Sequence, residues 1–247
     1  TVVDEIPNRL KVVTGDVTGS IRVWDVEDLR AEDAIASLHA EIVSIAVSND
    51  GKYVAAGSLE GTIGVWDLQT KERLIENSIG ESIILDIAFS SDTDSIIVSA
   101  SGREVLALDI PSGDLIWNAP RSGNDVVALD VDHGQGKVIT ATSRGVLKLI
   151  DGKTGIVTNS AITNSASLRD IVVPRNSNRV LITSRDGSLS VWSLLQFGQI
   201  TSIPITNELD CIAVSRDGTR VAVCSGSPQV HILDSRSSGV RLKDMRK

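Results

Sequence analysis

Cysteine occurs twice in 247 residues, histidine three times, methionine and tyrosine once each, and aromatic residues make up only 3% of the chain. Two cysteines cannot build the disulfide framework that staples small secreted folds, and so few fit a reducing compartment. If Asp217 and Gly218 form a two-residue hairpin turn, Cys211 and Cys224 each lie six residues out from it and face one another. The expectation for that pair is two buried, reduced thiols filling small core positions. No CxxC occurs and the histidines are scattered, which offers no transition-metal site. No apolar run approaches the ~18 residues of a membrane span. The N-terminal TVVDEIPNRLK lacks the basic-then-apolar layout of a secretory signal. The chain is therefore expected to be soluble and intracellular, in cytoplasm or nucleus. It has no initiator methionine, which is compatible with removal or with a longer parent chain. Positive charge is also short: 24 Lys and Arg face 32 Asp and Glu, a net charge of −8. That balance repels phosphate, arguing against nucleic acid or an anionic membrane as the main partner.

What remains is aliphatic. Hydrophobic residues make up 41% and mean hydropathy is positive, so Val, Ile, Leu and Ala must fill the core, a composition that favours strands. Their arrangement repeats. IRVWD closes at Asp25, IGVWD at Asp67, LALD at Asp109, LKLID at Asp151, LSVWS at Ser193 and VHILD at Asp234. A β-rich unit recurring every ~40–45 residues is the pattern of a propeller built from four-stranded blades. The unit from His39 reads as three apolar strands, IVSIAVS, YVAAGS and TIGVWDL, then a wetter outer strand, ERLIENS. The expected fold is all-β: one propeller domain over 1–247, with six four-stranded blades at about 1–38, 39–79, 80–121, 122–163, 164–205 and 206–247. VRLKDMRK at the C-terminus is expected to supply the sixth outer strand. No blade is visibly split between the termini, so the ring either closes without a shared blade, stays open, or belongs to a larger propeller.

These units resemble the WD-repeat family of β-propellers. Trp24-Asp25 and Trp66-Asp67 carry the dipeptide, Trp192-Ser193 departs from it by one residue, and the NDG (49–51) and RDG (216–218) turns match. The resemblance implies a buried Trp, Ser/Thr, Asp and His set in each blade. Here the sets are incomplete: Trp24 has Thr14, Trp192 has Asp186, the fourth blade has only Thr140, and Trp66 has His39 but Glu60 and Ala56 at the other positions. His39 is expected to serve as a hydrogen-bonding structural residue. With bonds worth ~1 kcal/mol each missing, apolar packing must hold the blades. One segment, ALDIPSGDLIW (107–117), also resembles the tryptophan-docking repeat of quinoprotein propellers, and IDGKTG (150–155) repeats its turn. In that family the motif packs neighbouring blades.

No GxSxG, P-loop or Ser-His-Asp layout is present. Asp86, Asp130 and Asp170 on innermost strands are the best enzymatic lead, because oxygen ligands near a propeller axis suit Ca²⁺. Asp130, however, stands two positions out of register with the others, and water-facing carboxylates are the plainer reading. The resemblance places partner docking on the loops entering the innermost strands and on the turns between second and third strands. The partner-binding candidates are Glu41, Val43, Leu59, Leu85, Asp125, Val127, Arg169, Arg185, Glu208 and Asp210, with Ile83 and Arg144 beside them. The function expected is a non-catalytic scaffold, without cofactor, metal or small-molecule substrate, presenting a rigid face to a protein or peptide in a multiprotein complex. The alternatives are an open propeller completed in trans by a partner's blade, and a metal-dependent enzyme with an axial site.

Overall fold

The computed structural model describes every residue except 33, 103–104, 121–123, 166, 206–207, 227–228, 235–241 and 245–247. The described residues form 25 strands and no helix, in six antiparallel sheets. Their packing separates into two compact units, Thr1–Val126 with Gly152–Gly155, and Val127–Asp151 with Ile156–Lys247.

In the first unit, β1 (Val2–Ile6), β2 (Lys11–Gly15) and β3 (Ser20–Asp25) pair in chain order, and β4 (Arg30–Ala31) and β5 (Ala36–Ser37) both pair with β3. The second sheet is β6 (Ile42–Val47), β7 (Tyr53–Ser58), β8 (Thr62–Asp67) and β9 (Arg73–Ser78). The third is β10 (Ile84–Phe89), β11 (Ser95–Ala100), β12 (Leu106–Asp109) and β13 (Leu115–Asn118). The fourth sheet begins with β14 (Val126–Asp132), β15 (Lys137–Thr142), β16 (Val146–Asp151) and β17 (Val157–Ile162). The fifth is β18 (Leu168–Val172), β19 (Arg179–Ser184), β20 (Ser188–Ser193) and β21 (Gly198–Pro204). The sixth is β22 (Cys211–Val214), β23 (Arg220–Cys224), β24 (Val230–Asp234) and β25 (Leu242–Asp244). The C-terminal segment thus supplies the expected outer strand, although most of the basic end lies outside the described residues.

Burial follows position in the sheet. The second strand SIIVSA (β11) is buried throughout, because both faces are covered, whereas the outer strands β17 and β21 are mostly exposed. Aliphatic residues pack between neighbouring sheets: Ile63, Ile84 and Ile96 are fully buried in one cluster, and Ile139, Leu147 and Ile182 in another. At ~1.5–3 kcal/mol per buried aliphatic side chain, this packing outweighs the missing polar networks. Close approach is secured by glycine. A Cβ on Gly57 would stand 2.3 Å from Ile84 Cγ2, and one on Gly15 2.5 Å from Ile42 Cγ2, so each glycine leaves room for the first isoleucine of the next sheet.

The first turn of the second, third and sixth repeats is built locally. Ser48 Oγ donates to Asp50 Oδ1 at 2.6 Å, and Ser90 to Asp92 and Ser215 to Asp217 repeat the bond at 2.8 and 2.7 Å. These Ser-x-Asp turns place Gly51 and Gly218 in the left-handed region, and Thr93 takes the same conformation with φ 67°.

Candidate partner-binding site

In the first unit, Glu41 precedes β6, Leu59 lies in the β7–β8 turn, and Ile83 precedes β10. The Leu59 N–H donates to the Glu41 carbonyl at 2.9 Å. A Cβ on Gly61 would stand 2.2 Å from the Gly80 carbonyl oxygen and 2.6 Å from that of Ser82, so the turn sits directly on the 80–82 loop. This seating groups Glu60 and Glu81 with Glu41, Leu59 and Ile83, all exposed. Val43 and Leu85 are half-buried, Val43 against the core. Asp125 is exposed and accepts the Gly102 N–H at 2.9 Å. From residue 31 to 102 the only Lys and Arg side chains are Lys52 and Lys71, in turns, and Arg73, the first residue of β9, all on the other end of these strands. Glu60 and Glu81 are not among the sequence candidates, although the scarcity of Lys and Arg in that run is the signal that finds them.

In the second unit the charges pair with one another. Arg169 Nε and Nη2 donate to Asp210 Oδ1 at 3.3 and 3.2 Å, and Arg185 Nε lies 3.8 Å from Glu208 Oε1. Between the two acids, Leu209 is fully buried. The pairs therefore tie the 208–210 segment to β18 and the β19–β20 turn. As half-exposed pairs they contribute at most ~1 kcal/mol each, and a partner must compete with them. Val127 is half-buried and Arg144 exposed.

The acids on first strands have a structural task that the sequence does not reveal. A first strand is a sheet edge, and its outward N–H groups have no partner within the sheet. Asp4 Oδ2 accepts the Val47 N–H at 2.7 Å, Asp130 Oδ2 that of Val173 at 2.6 Å, and Asp170 Oδ2 that of Ile212 at 2.9 Å. Each Oδ1 takes the N–H of the residue after its own aspartate. Ser44 Oγ accepts from Ile87 and donates to Asp86. Two registers two residues apart do the same work, so Asp130 matches Asp4 and its offset from Asp170 is not an anomaly. Among the described residues, no three of His, Cys, Asp and Glu converge as metal ligands. Burial pushes the Asp170 carboxyl up to about 6, against the lowering effect of its two backbone donors.

Two further expectations are corrected. His39 is exposed at φ 56°, and its backbone N–H bonds Ser37 Oγ, so it does not fill the buried hydrogen-bonding role. Cys211 and Cys224 face one another as the turn requires, but they are joined as a disulfide, with Cys211 exposed. Cys211 also occupies the position equivalent to Asp170. The incomplete Trp sets appear as expected: Trp24 Nε1 donates to Thr14 Oγ1 at 2.8 Å, while Trp192 Nε1 and Thr140 Oγ1 are buried without a hydrogen bond.

Trp117 Nε1 donates to the Gly152 carbonyl, and its ring covers Gly155 of the IDGKTG turn. The family described as outer membrane protein assembly factor BamB (PQQ_2) matches residues 11–192, which include both partners of that contact. The chain belongs to the PQQ_2 family. Its curated relatives include WD-repeat proteins, in line with the repeat reading. Cilia- and flagella-associated protein 52 of Mus musculus is 20% identical over 185 residues, 74% of this chain and 30% of the relative. Autophagy-related protein 16 of Arabidopsis thaliana is 26% identical over 187 residues, 73% of this chain and 36% of the relative. The chain thus spans about a third of the length of these relatives. The crystal structure of the Cps50 (Swd1) β-propeller domain of Myceliophteria thermophila covers 100% of this PQQ_2 chain and 87% of its own, at TM-score 0.88 and 16% identity. A computationally designed protein, Ika8, matches 99% of this chain and 73% of its own at TM-score 0.79 and 19% identity. These likenesses show the fold, a β-propeller of six blades. Among the described residues no helix is long and apolar enough to cross a membrane.

Proposed function

We propose that this propeller is a non-catalytic scaffold, one domain over 1–247, that presents a rigid face to a basic, apolar-bearing protein or peptide within a multiprotein complex. The observation that carries the reading is the end of the second and third blades. There the turns and loops that carry Glu41, Glu60 and Glu81 also carry exposed Leu59 and Ile83, and no Lys or Arg side chain lies on that end of the strands between residues 31 and 102. Turns seated on one another by backbone contacts need little ordering on binding, so the affinity is not spent on fixing the receptor. Aliphatic contact supplies area, and the carboxylates select a partner rich in Lys or Arg. Relatives of the WD-repeat class, generally non-enzymatic scaffolds, support this role. An intracellular site of action, in cytoplasm or nucleus, is part of the same proposal.

The test is recovery of the complex from its native source with the wild-type chain and with Glu60→Lys/Glu81→Lys. The partner should be lost from the variant, an effect of ~2 kcal/mol or more if these are central contacts, while urea unfolding stays unchanged. A folded variant that keeps every partner moves the docking face elsewhere.

A further inference from the structure

Arginine recurs at two equivalent positions of successive blades. PRNSNR, between β18 and β19, carries Arg175 and Arg179, and SRDGTR, between β22 and β23, carries Arg216 and Arg220. The matching turns of the second and third blades, SNDGKY (48–53) and SSDTDS (90–95), carry one lysine and no basic residue. All four arginines are exposed, and none forms an ion pair among the described residues. Four guanidiniums concentrated in this way depart from the chain's overall charge of −8.

Between the two turns opens a cavity of about 520 Å³, within the ~300–1,000 Å³ range of ligand-sized clefts. Its floor is aliphatic: Leu181, Leu189, Val191, Ile203, Val221 and Leu233. Four of these belong to the buried cluster between the fifth and sixth blades, so the floor is part of a rigid core. Ile200, 51% exposed, lies on the outer strand that borders the cavity. Arg175 and Arg179 line one side, and Asp217 and Asp234 the other. Asp217 is engaged by its own turn, accepting the Ser215 hydroxyl at 2.7 Å and the Thr219 hydroxyl at 2.8 and 2.9 Å.

We propose that this cleft binds an extended peptide segment in which aliphatic side chains are flanked by Asp or Glu. The aliphatic side chains cover the floor and the carboxylates meet Arg175 and Arg179, whose planar forks suit bidentate contact. Arg216 and Arg220 add to the field that draws the segment in. Among the described residues no aromatic side chain lines the cleft to stack a base, and the net charge opposes a polyanion, so the chemistry favours a peptide over nucleic acid. This surface is separate in residues and opposite in charge from the acidic face of the second and third blades.

The test is fluorescence anisotropy with the full chain and a labelled nonapeptide carrying Leu-Ile between glutamates. Saturable binding is expected, weakened at least tenfold when the glutamates become lysines or when Leu-Ile becomes Ser-Ser. Arg175→Glu/Arg179→Glu and, separately, Ile203→Glu should each weaken it at least tenfold, with urea unfolding confirming that both variants are folded. Glu60→Lys/Glu81→Lys should leave this affinity unchanged, which separates the cleft from the acidic face. Absent binding, or binding that survives both cleft variants, overturns the proposal. So does displacement of the peptide by a single-stranded oligonucleotide of equal charge at equal concentration, which would mark a general polyanion surface.

Discussion

Trp117 and Gly152, thirty-five residues apart, are joined by a 2.9 Å hydrogen bond from the indole Nε1 to the glycine carbonyl. The ring fills the space where a side chain at Gly155 would stand, with three indole carbons 2.7–3.0 Å from an ideal Cβ. One blade earlier, Asn77 Nδ2 donates to the Gly113 carbonyl at 2.9 Å, so an outer strand reaches the next turn in both places. Trp117→Phe should keep the packing and lose the bond, lowering stability by ~1 kcal/mol. Gly155→Ala adds a clash to a left-handed residue and should lower it by ~1–3 kcal/mol. Urea midpoints check both, and an unchanged Gly155→Ala midpoint would mean that the indole is not held there.

The second prediction concerns pH. Asp170 ionises at about 6 in the folded chain and near 3.9 when unfolded, so the folded state holds its proton more tightly. The neutral form's contribution is fully present below about pH 4 and is lost as pH rises through about 6. Asp170→Asn cannot titrate and keeps an acceptor for Ile212. Between pH 4 and 7 the wild type should lose on the order of 2 kcal/mol relative to this variant. Parallel stability curves for the two proteins would refute the assignment.

A third prediction tests the bridge between Cys211 and Cys224. Alkylation of the protein unfolded without reductant should add nothing, and alkylation after reduction should add two groups by mass. Replacing both cysteines by alanine should lower stability by ~2–3 kcal/mol, from a loop with a sequence separation of 13. Two thiols that react without reductant would refute the bridge and restore the reduced pair.

Much of the architecture was readable because it is periodic: strand order, the wet outer strands and the facing of Cys211 and Cys224 all follow from turn chemistry and alternation. The tasks of Asp130 and Asp170 were not readable, since each depends on an N–H some 42 residues away whose lack of a sheet partner is visible only once the sheets stand side by side. The same applies to Arg169 and Asp210, which looked like partner contacts individually and prove to be each other's counterion. Glu60 and Glu81 are hidden in the sequence because Glu60 stands at a position of the tryptophan set, and its exposure beside the 80–82 loop shows only in the fold. His39 shows the reverse error, in which a resemblance assigned burial to a residue that its own left-handed backbone turns outward.

The carboxylates that serve neighbouring first strands point one way along the chain. Asp4 precedes Val47, Asp130 precedes Val173 and Asp170 precedes Ile212, so the acceptor is always synthesised before its donor. A blade leaving the ribosome finds its docking group already in place on the blade before it, and its other contacts lie close in sequence. Assembly from the N-terminus therefore leaves none of these three edges waiting for a group that has yet to be made, and a chain truncated after the second, fifth or sixth blade retains the acceptor that blade's edge requires.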